Sequence, residues 1–493
     1  MRAVFSFLLL CGFGLGSECG CSQGDSDAGS SGNHPGAGAA PSGGGQSRGM
    51  GGGSGGTESG GASSGGAGGG GGSAPEPEGS EFVHCFPWGN APPREGPLLS
   101  VTPMASVLIV GPSAPEDLFP ESPGIPFLLE LSTAGAVLRS ITFPNAFGPE
   151  VMAVSRDGSV FLAGQERPGT AFGTHVLPDV EDGYYIVKLS ATFEVVAATM
   201  VKSFATQINA LHVDAQGDLI VGTAVASFEA GSMHPVVTKY SGETLEEEWS
   251  TPFEHAVMPA LIYGLTTLPN GHIVPAGLYS RTLTIGAFVL EKPPDARNDD
   301  FVYNGWVAWL APDNGQPVLA QTFGGSVTDF ALDAHVTSAG SLRLLSTHSG
   351  GTLTLFGTTI TLEEHQSAVI DLDASGTAQR VVAFGGLGTS SSKIALGQDG
   401  QTYVAGRYED PLGDASTRGA WLLRIEPDGA LGPSLRLPTG YGVSQIAVDT
   451  QGGVWISGGW GAPFEWNGEV HHPMPAGPEV TDLCRFVLRL TDF

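Results

Sequence analysis

The chain has 493 residues, with 21 Lys and Arg against 50 Asp and Glu, a formal net charge of -29 and a pI near 4.6. So acidic a surface repels phosphate backbones and anionic headgroups, which excludes nucleic acid as an expected partner and favours a soluble monomer. Charged residues are only 14% of the chain, so the acidity reflects scarce Lys and Arg rather than acidic tails.

Met1-Arg2 opens an apolar run from Ala3 to about Leu15, too short for a membrane helix and right for the core of a signal peptide. Gly14, Gly16 and Ser17 follow as small residues near a cleavage point, then Cys19 and Cys21. This order is similar to that of bacterial lipoproteins, in which a new N-terminal Cys is acylated. Glu18 departs from that pattern before Cys19, whereas Gly20 suits Cys21. Acylation at Cys19 or Cys21 and plain secretion both stay open. The expected address is extracytoplasmic, either at the outer membrane or cell surface or secreted, with membrane contact only through such an anchor.

Residues 1–21 are thus read as the leader, and 22–80 as a linker. The linker is Gly, Ser, Ala and Pro with almost no aliphatic or aromatic side chains, so it cannot bury enough apolar area to offset its ordering entropy. A disordered Gly/Ser coil of that length spans roughly 40 Å.

Residues 81–493 carry an internal repeat. Seven times a turn leads into a short apolar strand that ends in a small residue, as in Ser106-Val-Leu-Ile-Val-Gly111, Ser159-Val-Phe-Leu-Ala-Gly164 and Gln401-Thr-Tyr-Val-Ala-Gly406. Successive copies are spaced by 53, 58, 55, 69, 60 and 52 residues. An apolar strand A precedes this strand B, as in Ile208-Asn-Ala-Leu-His-Val213, across turns rich in Asn, Asp and Gly. A strand C alternates with it and places Glu130, Lys188, Lys239, Trp309, Asp371, Arg424 and Arg489 in one column. Long charged stems in that column are expected to lie over the strands and reach water. A further turn leads to a strand D, such as Val195 to Met200.

Four antiparallel strands per unit, repeated seven times, predict an all-β, seven-bladed β-propeller, because radial repetition leaves only short edges to protect. The last unit lacks a strand D, and Glu81-Phe-Val-His-Cys-Phe86 is a strand without a unit, so the two ends are expected to share one blade. Cys85 and Cys484 are the only cysteines past the leader, one on each of the strands expected to pair, and a disulfide between them is expected after export, with two buried free thiols as the alternative.

The motifs resemble the bacterial extracytoplasmic β-propeller repeats, whose outer strand ends in F-G-G and whose inner hairpin reads V-D-x-x-G. Here these stand as Ala320-Gln-Thr-Phe-Gly-Gly325, Val382-Ala-Phe-Gly-Gly386, Val213-Asp-Ala-Gln-Gly217 and Val448-Asp-Thr-Gln-Gly452. Asp333-Ala-His-Val-Thr-Ser-Ala-Gly340 departs from that turn. The resemblance implies surface or secreted proteins with blades but no defined chemistry.

Candidate sites are few. Asp371-Leu-Asp373-Ala-Ser375-Gly376 imitates the start of a calcium loop, but Val382 stands where a bidentate Glu is needed, and a solvated turn is the plainer reading. Ser390-Ser-Ser-Lys393 has the S-x-x-K spacing but runs into a strand A rather than opening a helix. His471 and His472 point in different directions on extended chain and lack a third metal ligand fixed by spacing. With Trp460 and Trp466 they form a candidate ligand-contact loop in the last B to C connection. The insertion Arg281 to Gly305, with charges from Ala296 to Asp300, reads as a solvated loop. No catalytic residue, metal site or cofactor is assigned. The expected function is a non-catalytic recognition or scaffold module at the cell surface, with a glycan or protein as partner. The alternative is a hydrolase or lyase at the channel mouth, which a converging His/Asp/Glu cluster would favour.

Overall fold

The computed structural model describes residues 97–493, apart from short internal stretches, and the backbone of Phe82–Pro87. Cys19, Cys21, the leader and the linker lie outside the described residues.

The described elements are strands, and seven four-stranded antiparallel blades follow the repeat. Blade 1 holds strands A to D at Leu98–Val101, Val107–Gly111, Phe127–Leu131 and Val137–Thr142. The inner strands A of blades 2 to 7 are Val151–Val154, Ala205–Val213, Leu261–Thr267, Asp329–Val336, Thr389–Leu396 and Gly440–Val448. Each touches the next, and the seventh touches Leu98–Val101, so the ring is closed. Apolar clusters fill the spaces between blades; Trp455 and Val487 of blade 7, for example, pack with Val107, Ile109 and Phe127 of blade 1.

Closure is of the expected kind. Phe82–Pro87 pairs antiparallel with Cys484–Leu490 and supplies the outer strand of blade 7. The register sets Cys85 opposite Phe486 and Cys484 opposite Pro87, two residues out of step along the ladder. The cysteine side chains lie outside the described residues.

The charged column on strand C departs from expectation. Glu130, Lys239, Asp371 and Arg489 are buried, because each has a partner within the blade. In blade 7, Asp449 accepts the N–H groups of Gln451 and Gly453 with one oxygen, at 2.8 Å each. Its other oxygen accepts Trp455 Nε1 and Arg489 Nε, both at 2.9 Å. In blade 3, Asp214 closes its turn in the same way, and Lys239 lies 3.3 Å from it and 2.9 Å from Asp218. The turn Asp therefore caps its own loop and neutralises the cation on strand C. Blades 1 and 5 invert the charges. Their turns begin with Thr102 and Thr337, and strand C carries Glu130 and Asp371 instead. The cations come from Arg139 in blade 1 and from Arg343 and Arg380 in blade 5. What reads in the sequence as an eroded turn is a reversed ion pair.

The insertion after Tyr279 also differs from the solvated loop expected. Thr282–Ile285 and Phe288–Glu291 form a hairpin that pairs with Glu254–His255, just beyond blade 3. Leu283, Ile285 and Leu290 are buried there beside Phe253 and Trp306. Ala296 to Asp300 lie outside the described residues. A second hairpin, Gly351–Leu355 with Thr358–Leu362, pairs with the end of strand D of blade 4. Both are B to C insertions, and the antiparallel meander sends every such insertion to the same face as the D to A connections.

The small residue that ends strand B has a steric cause. A Cβ on Gly277 would fall 1.8 Å from the Leu261 carbonyl oxygen, and one on Gly406 would fall 2.0 Å from that of Ser390. Both oxygens belong to the paired strand A, beside a β-bulge. Gly277→Ala is expected to lower stability by about 1–3 kcal/mol through overpacking, whereas a Cβ on Gly386 meets nothing within 4 Å. Urea denaturation of Gly277→Ala beside Gly386→Ala checks this; equal stability of the two would contradict it.

Candidate functional site

Strand A carries a β-bulge in blades 3 to 7, between Ile208 and Ala210, Ile262 and Gly264, Ala331 and Asp333, Ser391 and Lys393, and Val443 and Gln445. A bulge sets two residues against one and re-aims the side chain that follows. The glycine or serine of strand B opposite each bulge leaves room for the displaced backbone.

After the bulges, the inner strands line a central cavity of about 500 Å³. Counted back from the A to B turns, Asp333, Lys393 and Gln445 share one position, and His212, Thr266 and His335 the position two residues later. Asp333 and His335 thus belong to strand A of blade 5, and its turn is Thr337 to Ser341. Blade 4 leaves space beside them with Gly264, whose Cβ would lie 2.8 Å from that of Ala334.

Asp333 is the hub. Its Oδ1 accepts the Ala334 N–H at 3.0 Å and lies 3.8 Å from Lys393 Nζ. Its Oδ2 accepts the Ile394 N–H at 3.1 Å and lies 3.3 Å from His335 Nε2. Burial alone would raise the acidity constant of this carboxyl, but Lys393, His335 and the Ile394 N–H outweigh it and hold the group well below the usual carboxylate range. His212 faces the opposite outcome. Burial, with the charge of His335 beside it, pushes its imidazole down to about 4, so it is neutral at pH 7. His212 lines the same cavity. Tyr263 also lines the cavity, its phenol pushed up by burial. The buried Asn209 Nδ2 has no hydrogen-bond partner among the described residues.

The arrangement therefore offers an ionised carboxylate, an imidazole and an ammonium in contact, with a neutral imidazole nearby. None of these was singled out as a site in the sequence. The signal was present as polar residues interrupting strand A columns that are otherwise apolar. Lys393, met first within the S-x-x-K spacing, lies on a strand and lines the channel. The loop candidates lie elsewhere. Trp460 ends Val454–Trp460, and Trp466 and His471 stand on the short hairpin Phe464–Trp466 and Glu469–His471, while His472 lies outside the described residues.

A second constellation has the order of a catalytic triad. Asp329 Oδ1 lies 2.8 Å from His348 Nδ1, and His348 Nε2 lies 2.8 Å from Ser346 Oγ. All three are buried, Ser346 with no exposed surface, and its hydroxyl also donates to the Ala368 carbonyl at 3.2 Å. No substrate reaches a serine so enclosed. The network ties strands A, B and C of blade 5.

No protein-family model matches the sequence, and no curated protein matches it. Solved structures match at low similarity. A streptogramin B lyase structure is 10% identical, covering 83% of this chain and 98% of that one, with a TM-score of 0.41. The β-propeller domain of the Trilobed protease from Pyrococcus furiosus is 11% identical over 77% of this chain and 95% of that one, with a TM-score of 0.40. A protein from Lactobacillus plantarum is 13% identical over 74% and 94%, with a TM-score of 0.43. At such values no residue role or activity is transferred to this chain.

Proposed function

We propose that the chain is an exported recognition module that receives a small polar ligand in the propeller channel, held away from the cell surface by its Gly/Ser linker. The observation that carries this reading is the convergence of Asp333, His335, Lys393 and His212 from blades 3, 5 and 6 on one cavity. A cavity of about 500 Å³ falls in the range of small-molecule sites, and convergent polar groups in the wall are what fixes a ligand there. The leader supports export, and acylation at Cys19 or Cys21 would supply the anchor; protease shaving of intact cells checks that address.

A glycan and peptide array with the folded domain tests the recognition role. Binding is expected to fall at least tenfold in His335→Ala and to persist in Trp466→Ala. The reverse pattern would move the site to the loop face, and binding indifferent to both would sink the channel reading.

A second reading, catalysis, is favoured by one observation: neutral His212 lines the same cavity as the Asp333–His335 pair and adds a proton acceptor to a carboxylate–imidazole pair. Turnover of an array ligand, abolished in His212→Gln, would decide for it.

A further inference from the structure

We propose that the ligand of this channel is an organic carboxylate, its anionic head received by Lys393, His335 and Asn209 and its apolar body lying toward blades 1 and 2. The inference rests on the channel reading above and adds the chemical class.

The argument is an inventory of donors and acceptors. The Asp333 carboxylate already accepts two backbone N–H groups and faces His335 Nε2 and Lys393 Nζ. Its capacity as an acceptor is largely used within the protein. The donors that line the same cavity have capacity left. Lys393 Nζ stands 3.8 Å from Asp333, beyond hydrogen-bonding distance, and its side chain is 29% exposed. The His335 side chain is 40% exposed, leaving ring edge to the channel. Asn209 Nδ2 is buried without a partner among the described residues. A cavity with donors left over selects a ligand rich in acceptors, and an ammonium and imidazole among them favour an anion.

The opposite wall decides against a bare inorganic anion. In a ring of seven, blades 1 and 2 face blade 5, and there the cavity is lined by Leu98, Leu99, Val151 and Met152, with Ser100 as the one polar side chain among them. Such a surface gains from covering an apolar body, which phosphate does not have. The space of about 500 Å³ also far exceeds a bare oxyanion.

The test uses four probes of related size and different charge on the folded full chain: phenylacetate, its neutral isostere phenylacetamide, the cation phenethylamine, and inorganic phosphate. Binding is read by calorimetry and by the 13Cε1 resonances of the histidines, with His335 and His212 assigned through their Gln variants. Phenylacetate is expected to shift both resonances saturably and to bind at least tenfold more tightly than phenylacetamide. Lys393→Gln and Asn209→Asp should each weaken it about tenfold or more, whereas Lys393→Arg, which keeps the charge, should retain most of the affinity. Melting temperatures of the variants establish that each is folded.

If phenylacetamide or phenethylamine shifts the channel imidazoles as strongly as the acid, the channel binds ligands but the choice of an anion is wrong. Binding by phosphate without phenylacetate would overturn the organic body. If no probe moves either imidazole, the carboxylate assignment falls, and the dependence of array binding on His335 then decides separately whether the channel is the site.

Discussion

Asp449→Ala is expected to cost about 3–5 kcal/mol of stability, because it takes the carboxylate from a buried guanidinium. Arg489 has a side-chain exposure of 4% and Asp449 of 0%, so water cannot replace what is removed. The same substitution strips Trp455 Nε1 of its acceptor and releases the N–H groups of Gln451 and Gly453 that close the turn. Burial by itself would raise the acidity constant of Asp449. It is nevertheless lowered, because the Arg489, Trp455 and backbone donors together outweigh burial. Asp449→Asn should cost less, since an amide oxygen can still accept the turn N–H groups. The double variant Asp449→Leu/Arg489→Met should recover much of the loss by removing both charges. Urea midpoints for the set measure this. An Asp449→Ala midpoint within 0.5 kcal/mol of the parent's would show that the pair contributes nothing.

Acidification from pH 7 to pH 4 is expected to cost up to about 3 kcal/mol through His212 alone. Its imidazole has an ordinary value near 6.5 when unfolded and about 4 in the channel. Between those two values the unfolded chain binds a proton that the native chain refuses, so stability falls as pH falls through this window and levels off below it. Asp333 acts in the same direction but at lower pH. Its carboxyl is held below the ordinary value of 3.8, so its contribution is intact above that pH and lost only beneath it. The part of the loss that His212 contributes therefore falls between pH 6.5 and 4. His212→Gln should flatten the pH dependence of urea unfolding across that window. Equal losses in the parent and the variant would mean that the imidazole takes up its proton in the native channel without penalty.

The blades were legible in the sequence because strand periodicity, turn chemistry and repeat spacing are local, and seven copies reinforced one another. Ring closure was legible for a similar reason: a repeat that lacks a strand at one end and has one to spare at the other has few ways to satisfy both edges. The small residue ending strand B was visible as a motif, but its cause was not. It depends on how near the carbonyl oxygen of Leu261 or Ser390 comes to the opposite backbone, a distance set by bulges that no spacing reveals. The charged column on strand C was also visible, yet its fate was misread, because a charge between apolar neighbours reads as solvated until its partner is seen. Glu130 and Asp371, where four other blades carry Lys or Arg, hinted at reversed pairs, and the packing of turn against strand decided it.

The candidate site was decided by tertiary structure alone. Asp333 and Lys393 stand 60 positions apart in sequence and touch because adjacent blades bring equivalent inner-strand residues around one axis. Each residue, read within its own repeat, is a small departure from a blade consensus. Local pattern determines that a strand forms and which face it buries. Only the closed ring determines that these departures meet in one cavity, where burial and neighbouring charge give them their chemistry.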